Sequence, residues 1–348
     1  MAALPAGFAA GVRKRALMKL GCQSGPTTDR MLQFFKRHGV SNICGYPPDP
    51  GARGYWTVEE LTQLRERAER HGVSVDLVPL PFLSSGHILD AQARPAIMLG
   101  ESPQRDRDIE DVHRTIRNCA AAGIPAIKYY LALLPVLRTG RTLGRGGVTY
   151  STWRLAEAKQ DPPLTRAGKV TADMMWERIT YFLERVVPVA EEYKIRLACH
   201  PHDPGLPPEG FQGIDHVLGT VEGLKRFVSI KESPYHGLNF CQGTVCEMLQ
   251  DPGKGIFDVI RYFGTRKKIF NVHFRNIRGK RDNFQEVYPD EGEVDFVKAM
   301  MVYKEVEYPY MIMPDHVPYH KDDPGGLQAF AFAYGYIRAL IQAVDQLA

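Results

Sequence analysis

From Met18 to the C-terminus, short apolar runs alternate with longer stretches of helical period, eight times over. The apolar runs are Met18–Gln23, Ser41–Pro47, Val73–Leu80, Ala126–Leu134, Ile195–Ala198, Leu238–Thr244, Ile269–Ile277 and Tyr310–Pro318. The helical spans begin with Asp29–His38, ahead of Gly39, and a helix opened by Thr57. Two longer ones cover about Gln104–Ala122 and Thr171–Tyr193, and the last four are Val217–Phe227, Val245–Tyr262, Asp295–Glu305 and Gly326–Val344. Thr57-Val58-Glu59-Glu60 has the spacing of a capping box, and Gly72 stops that helix after His71. Strands that alternate one for one with helices pair in parallel and are covered on both faces. Eight such units predict one α/β domain over residues 18–348, a (β/α)8 TIM barrel, preceded by a flexible lead-in over residues 1–17. A doubly wound open sheet is the alternative, but no glycine-rich dinucleotide fingerprint follows the first strand.

Charge and composition remove several function classes. A formal net charge of +4 is small and dispersed, so nucleic acid is not an expected partner. No apolar run is long enough to span a bilayer, so no membrane partner is expected either. In MAALPAGFAAGVRKRALMKL the cationic cluster Arg13-Lys14-Arg15 follows the weakly apolar part, the reverse of a secretory signal. A cytoplasmic protein is therefore expected. The six cysteines lack framework spacing and read as reduced thiols. A homo-oligomer is left open.

The chemistry gathers where the later strands end. IRLACHPHDP runs from an apolar strand into Cys199, His200, His202 and Asp203, with Pro201 and Pro204 closing the ladder. The next three strands end in Cys241, in His273, and in Asp315-His316. In a barrel these ends converge on one face. Taken singly, Cys241 reads as a small hydrophobe, His273 as a core histidine and Asp315 as a turn cap. Four such residues at equivalent places in consecutive strands point instead to one divalent cation held by His200, Cys241, His273 and Asp315. A thiolate disfavours Mg²⁺ and Ca²⁺, and the mixed set suits Mn²⁺, Fe²⁺, Co²⁺, Ni²⁺ or Zn²⁺, with Mn²⁺ the first choice for sugar-acid chemistry.

Around this centre, His316 is the candidate acid or base, because the side chain beside Asp315 diverges from the same ion. His202, two residues beyond His200, is expected to face the same side. Arg275 could grip a carboxylate bidentately or make a barrel-rim ion pair. Asn276, Tyr129, Tyr130 and Tyr319 are weaker candidates. The span from Pro135 to Pro163 reads as a long loop rich in arginine and glycine, including Arg138, Arg141 and Arg145. It is either a solvated insertion or a lid whose arginines meet an anionic substrate.

As a set, CHPHDP, NFCQGT, VHFRNIRG, FQEVYPDEG and MPDHVP resemble the mannonate dehydratase family in sequence and order. The resemblance implies a xylose-isomerase-like TIM barrel that removes water from D-mannonate to give 2-keto-3-deoxy-D-gluconate with a divalent metal, commonly Mn²⁺. It selects His200, Cys241, His273 and Asp315 as ligands and His316 for proton transfer. The second proton-transfer role falls to His202 or Tyr319, and Arg275 with lid arginines such as Arg141 would hold the acid end. The resemblance is loose at YYLALLPVLRTGRT. It also departs after the eighth strand, where DHVPYHKDDPGG is shorter than the family loop and has glycine near the place of a functional tyrosine. An isomerase or epimerase acting on a sugar or sugar acid is the alternative, since the same site serves if the proton returns. A non-enzymatic metal- or sugar-binding protein is a third reading.

Overall fold

The computed structural model describes residues 15–347 except Gly86, His87, Asp90, Ala91, Gln92, Gln160, Pro162, Pro163 and Pro208. The expected lead-in over residues 1–17 therefore lies almost wholly outside the described residues.

Eight strands close a parallel barrel: β1 (Lys19–Cys22), β2 (Asn42–Cys44), β3 (Ser74–Pro79), β4 (Ala126–Tyr129), β7 (Arg196–Cys199), β8 (His236–Cys241), β9 (Ile269–His273) and β12 (Met311–Met313). Each strand pairs with the next in this order, and β12 closes on β1. The helices between them start where the sequence supplies caps. The Thr57 hydroxyl accepts from the Glu60 amide while the Glu60 carboxylate accepts from the Thr57 amide, opening α2 (Val58–Arg70). Thr171 caps α5 (Ala172–Glu192) and Asp295 caps α9 (Phe296–Glu305) in the same sense. Among the described residues no helix is long and apolar enough to cross a membrane.

The core has two layers, as a barrel requires. A large apolar shell lies between strands and helices, where Ile127, Phe182, Leu197, Phe240 and Val272 are fully buried. A smaller cluster of Cys44, Leu77, Ala126, Ala198, Phe270, Met311 and Met313 fills the barrel interior. All six cysteines are free and buried.

One feature differs from the expectation. The span 135–163 carries β5 (Gly140–Leu143) and β6 (Thr149–Arg154), and the segment after β9 continues into β10 (Asn276–Lys280) and β11 (Asn283–Val287). These form a second, antiparallel sheet in the order β10-β11-β6-β5. Trp153 lies opposite Phe284, and both are buried. The arginines and glycines disguised these strands, because their few apolar side chains, such as Tyr150 and Trp153, do not alternate and the partner strand lies far along the chain. The seventh apolar run is accordingly two strands with a bend at Phe274 and Arg275.

Candidate active site

Register brings the ends of β7, β8, β9 and β12 to one level. Cys199 pairs with Leu238, Cys241 with His273, and His273 with Met313. Donor atoms of His200, Cys241 and His273 consequently lie within 4.8 Å of one another. Asp315 joins them: its Oδ2 is 3.9 Å from Cys241 Sγ and 3.8 Å from His273 Nδ1. The His200 Nδ1–H donates to the Pro201 carbonyl at 2.7 Å, which leaves Nε2 as the free ring nitrogen.

These residues fit a cation. Both ring nitrogens of His273 and Oδ1 of Asp315 are buried with no hydrogen-bond partner among the described residues. Orphaned buried polar atoms cost about 1–3 kcal/mol each, and a metal ion would satisfy one His273 nitrogen and the Asp315 oxygen. Burial lowers the His200 pKa to about 4 and that of His273 well below its usual value, so both imidazoles are neutral, as ligands must be. Burial also raises the Cys241 thiol well above its normal range, with Arg275 opposing. Burial alone would raise Asp315, but His316 and Arg275 outweigh it and keep the carboxylate ionised.

Beside this group lies a second knot of charge. Arg275 donates through Nη2 to Asp203, Thr244 and Glu247, each at 2.9 Å, and through Nη1 to Glu286 at 2.7 Å. Its Nη1 is also 3.2 Å from Asp315 Oδ2. Arg138, from the strand-four insertion, donates to Asp203 at 2.6 Å and to Glu286. Gly243 makes room for this arrangement, since a Cβ there would sit 2.2 Å from Arg275 Nε. Burial works against both arginines, but the surrounding carboxylates more than compensate and hold them charged.

His316 stands at the mouth with its side chain 46% exposed. Its Nδ1 faces Glu286 Oε2 at 3.3 Å, while its Nε2 accepts from Arg275 Nη1 at 2.5 Å and lies 3.2 Å from Asp315 Oδ2. Desolvation lowers its pKa, but Asp315 and Glu286 prevail and raise it above 6.5. Two adjoining cavities meet here. One, of about 390 Å³, is lined by His200, His273, Asp315 and Lys128 among others. The other, of about 410 Å³, is lined by Arg141, Tyr319, Glu286 and His316.

Comparison with known proteins agrees with this geometry. A family model described as D-mannonate dehydratase (UxuA) matches residues 153–348, more than half of the chain. The chain belongs to the D-mannonate dehydratase family. It is thus a hydro-lyase of the sugar-acid dehydratase class. Mannonate dehydratase from Thermotoga maritima is 28% identical, over 89% of this chain and 92% of the relative. Mannonate dehydratase 2 from Halalkalibacterium halodurans is 26% identical, over 92% and 97%. Among solved structures, mannonate dehydratase from Streptococcus suis serotype 2 superposes with a TM-score of 0.80 at 23% identity, covering 94% of this chain and 95% of that one. A D-tagatose 3-epimerase-like protein gives 0.61 at 15% identity, over 94% and 99%, a likeness of fold. The xylose-isomerase-like barrel expected from the sequence is the barrel observed. The family match begins at Trp153, beyond the segment where the sequence resemblance was loose.

Several expectations about individual residues need correction within this dehydratase fold. His202 turns into the core: its Nε2–H donates to the Leu131 carbonyl at 2.8 Å and its Nδ1 accepts from the Leu218 amide at 3.3 Å. Both nitrogens are used, and the Pro-rich turn has broken the two-residue alternation that would have aimed it at His200. Asn276 is likewise spent on backbone, donating to Pro289 and Val294 and accepting from Ile277 and Val294. Arg275 takes the ion-pair alternative, since four carboxylates already surround its guanidinium. Tyr129 packs outward on Phe182, and the Tyr130 hydroxyl accepts from the Asp203 amide at 2.8 Å. Arg141 and Tyr319 do face the mouth, with the guanidinium 5.2 Å from the ring centroid. Sequence reasoning missed Glu247, Glu286 and Lys128. A lysine inside the apolar run AIKYYLALL was a readable signal, and Glu286 lies within the motif FQEVYPDEG; Glu247, carried on a helix end, gave none.

Proposed function

We propose that this enzyme removes water from D-mannonate to form 2-keto-3-deoxy-D-gluconate in a metal-dependent reaction. The observation that carries the reading is the convergence of His200, Cys241, His273 and Asp315 at the C-terminal mouth of a barrel whose chain belongs to this family. The mixed His, Cys and Asp donors suit Mn²⁺, Fe²⁺, Co²⁺, Ni²⁺ or Zn²⁺, and the family resemblance makes Mn²⁺ the first choice. When bound, the cation supplies Lewis-acid polarisation of the acid's oxygens, which makes the α proton more acidic.

The chain's own groups do the rest. Glu286 beside Nδ1 and the Arg275 N–H at Nε2 both favour the His316 tautomer whose Nε2 carries the lone pair, so Nε2 takes the C2 proton once substrate displaces Arg275 from it. The electrons of the C2–H bond form the C2=C3 bond as the C3–O bond breaks. The departing hydroxide needs a proton, and Tyr319, on the same cavity wall as His316, is the candidate donor. The resulting enol tautomerises to the 2-keto acid. Arg141 meets the far end of the sugar chain at the outer wall.

The test is turnover of D-mannonate by metal-stripped protein with and without Mn²⁺, assayed for 2-keto-3-deoxy acid. Mn²⁺-dependent product that disappears in His316→Asn is the expected result. Absence of product from protein with Mn²⁺ bound would overturn mannonate as substrate.

A further inference from the structure

A sugar acid entering the inner cavity brings a carboxylate, and two nearby cations that would meet it are already engaged. Arg138 and Arg275 are both surrounded by protein carboxylates. Lys128 differs. It lies mid-barrel on β4, opposite Ala198 of β7, and projects inward, because its neighbour Tyr129 points outward onto Phe182. Its ammonium donates to Gln23 Oε1 at 2.7 Å and to the Tyr46 hydroxyl at 3.2 Å, and it sits 5.4 Å from the Tyr46 ring centroid. All of these partners are neutral groups. Among the described residues no carboxylate lies within ion-pair range of Lys128, although the chain pairs most of its other interior cations. Lys128 lines the cavity that also holds His200, His273 and Asp315. Gln23 ties the two sides together, since its amide reaches from Lys128 to the Asp315 carbonyl at 3.4 Å.

We propose that Lys128, oriented by Gln23 and Tyr46, is the residue that receives the substrate's carboxylate. This deepens the sugar-acid reading and rests on it. A partly desolvated ammonium held by neutral acceptors keeps its charge for an incoming anion, and the interaction is strengthened by the low polarity of the barrel interior. An uncharged polyol of the same length gains nothing from it. Lys128 thus selects for the acid over the corresponding alcohol.

The experiment is calorimetric titration of Mn²⁺-loaded protein with D-gluconate and with neutral D-glucitol. Gluconate has the opposite configuration at C2, so it offers the carboxylate while withholding the C2 proton from His316. Lys128→Met should weaken gluconate binding at least tenfold and change glucitol binding less than twofold, with bound Mn²⁺ and the melting temperature close to wild type. Lys128→Arg, which keeps the charge, should retain most of the gluconate preference. Gluconate affinity that survives in Lys128→Met, or equal weakening of both ligands, would overturn the assignment. Should Lys128→Met fold poorly, Lys128→Gln is read in the same way. Failure of the wild-type enzyme to dehydrate mannonate would sink the proposed reaction, whereas the gluconate-to-glucitol ratio would still judge Lys128.

Discussion

Glu286, on the second sheet, sets its Oε2 3.3 Å from Nδ1 of His316, which follows the last barrel strand. A carboxylate there orients the imidazole and favours its protonated form. Replacing it with Glu286→Gln keeps the shape and removes the charge. The His316 pKa should fall, and the limb of the pH–rate profile that reports it should move to lower pH, with kcat reduced at least tenfold. An unmoved limb would separate Glu286 from proton transfer.

His202 and His316 should answer mutation in opposite ways. His202 is fully buried, with both nitrogens bonded to backbone. His202→Ala leaves two unsatisfied backbone groups and a cavity, which costs about 2–4 kcal/mol. The melting temperature should drop while the folded fraction keeps its kcat. His316→Asn should leave the melting temperature near wild type and lower kcat by about 10²–10⁴. Thermal melts paired with active-site titration distinguish the two.

Four carboxylates, Asp203, Glu247, Glu286 and Asp315, face the two guanidiniums of Arg138 and Arg275. Burial, with Asp203 adding to it, raises the Glu247 pKa well above its usual value against the pull of Arg275 and Arg138, so its charge is the least favoured of the four. Glu247→Gln should therefore be tolerated within about 1 kcal/mol. Asp203 is ionised, because Arg138 and Arg275 outweigh its burial. Asp203→Asn should cost about 3–5 kcal/mol by leaving buried guanidiniums short of charge. Urea unfolding of both variants checks the contrast.

Buried histidines away from the site set an acid limit on stability. His216 and His236 are buried, each with one bond to a carbonyl, and burial lowers both pKa values from 6.5 to about 4. The unfolded chain takes up these protons near pH 6.5 and the folded chain only near pH 4. Stability is therefore full above pH 6.5 and declines as pH falls towards 4, by about 3 kcal/mol for each residue. Urea midpoints measured between pH 7.5 and 4.5 should fall accordingly, and His236→Gln should flatten the decline.

The barrel was legible because its signals are local. Thr57 and Glu60 announce a helix start, and Pro201 and Pro204 announce a strand end, without reference to distant residues. The metal-ligand candidates were legible for a related reason: parallel register puts strand ends level, so position in the strand predicts position in space. The reading failed where the backbone left that register. The turn after Cys199 sent His202 into the core, and the bend at Phe274 and Arg275 began a second sheet. Arg275 stayed open in sequence between substrate and ion pair because its partners Asp203, Glu247 and Glu286 come from three different segments.

The pairing of β6 with β11 also bears on how this mouth could be redesigned or could diversify. The insertions after β4 and after β9 are halves of one object: Phe284 needs Trp153, and Arg138 of one insertion neutralises Glu286 of the other. A loop swap that replaced either alone would expose a strand edge and strand a buried charge. New specificities at this rim are therefore reachable only by paired exchanges, in which both insertions are inherited or transplanted together.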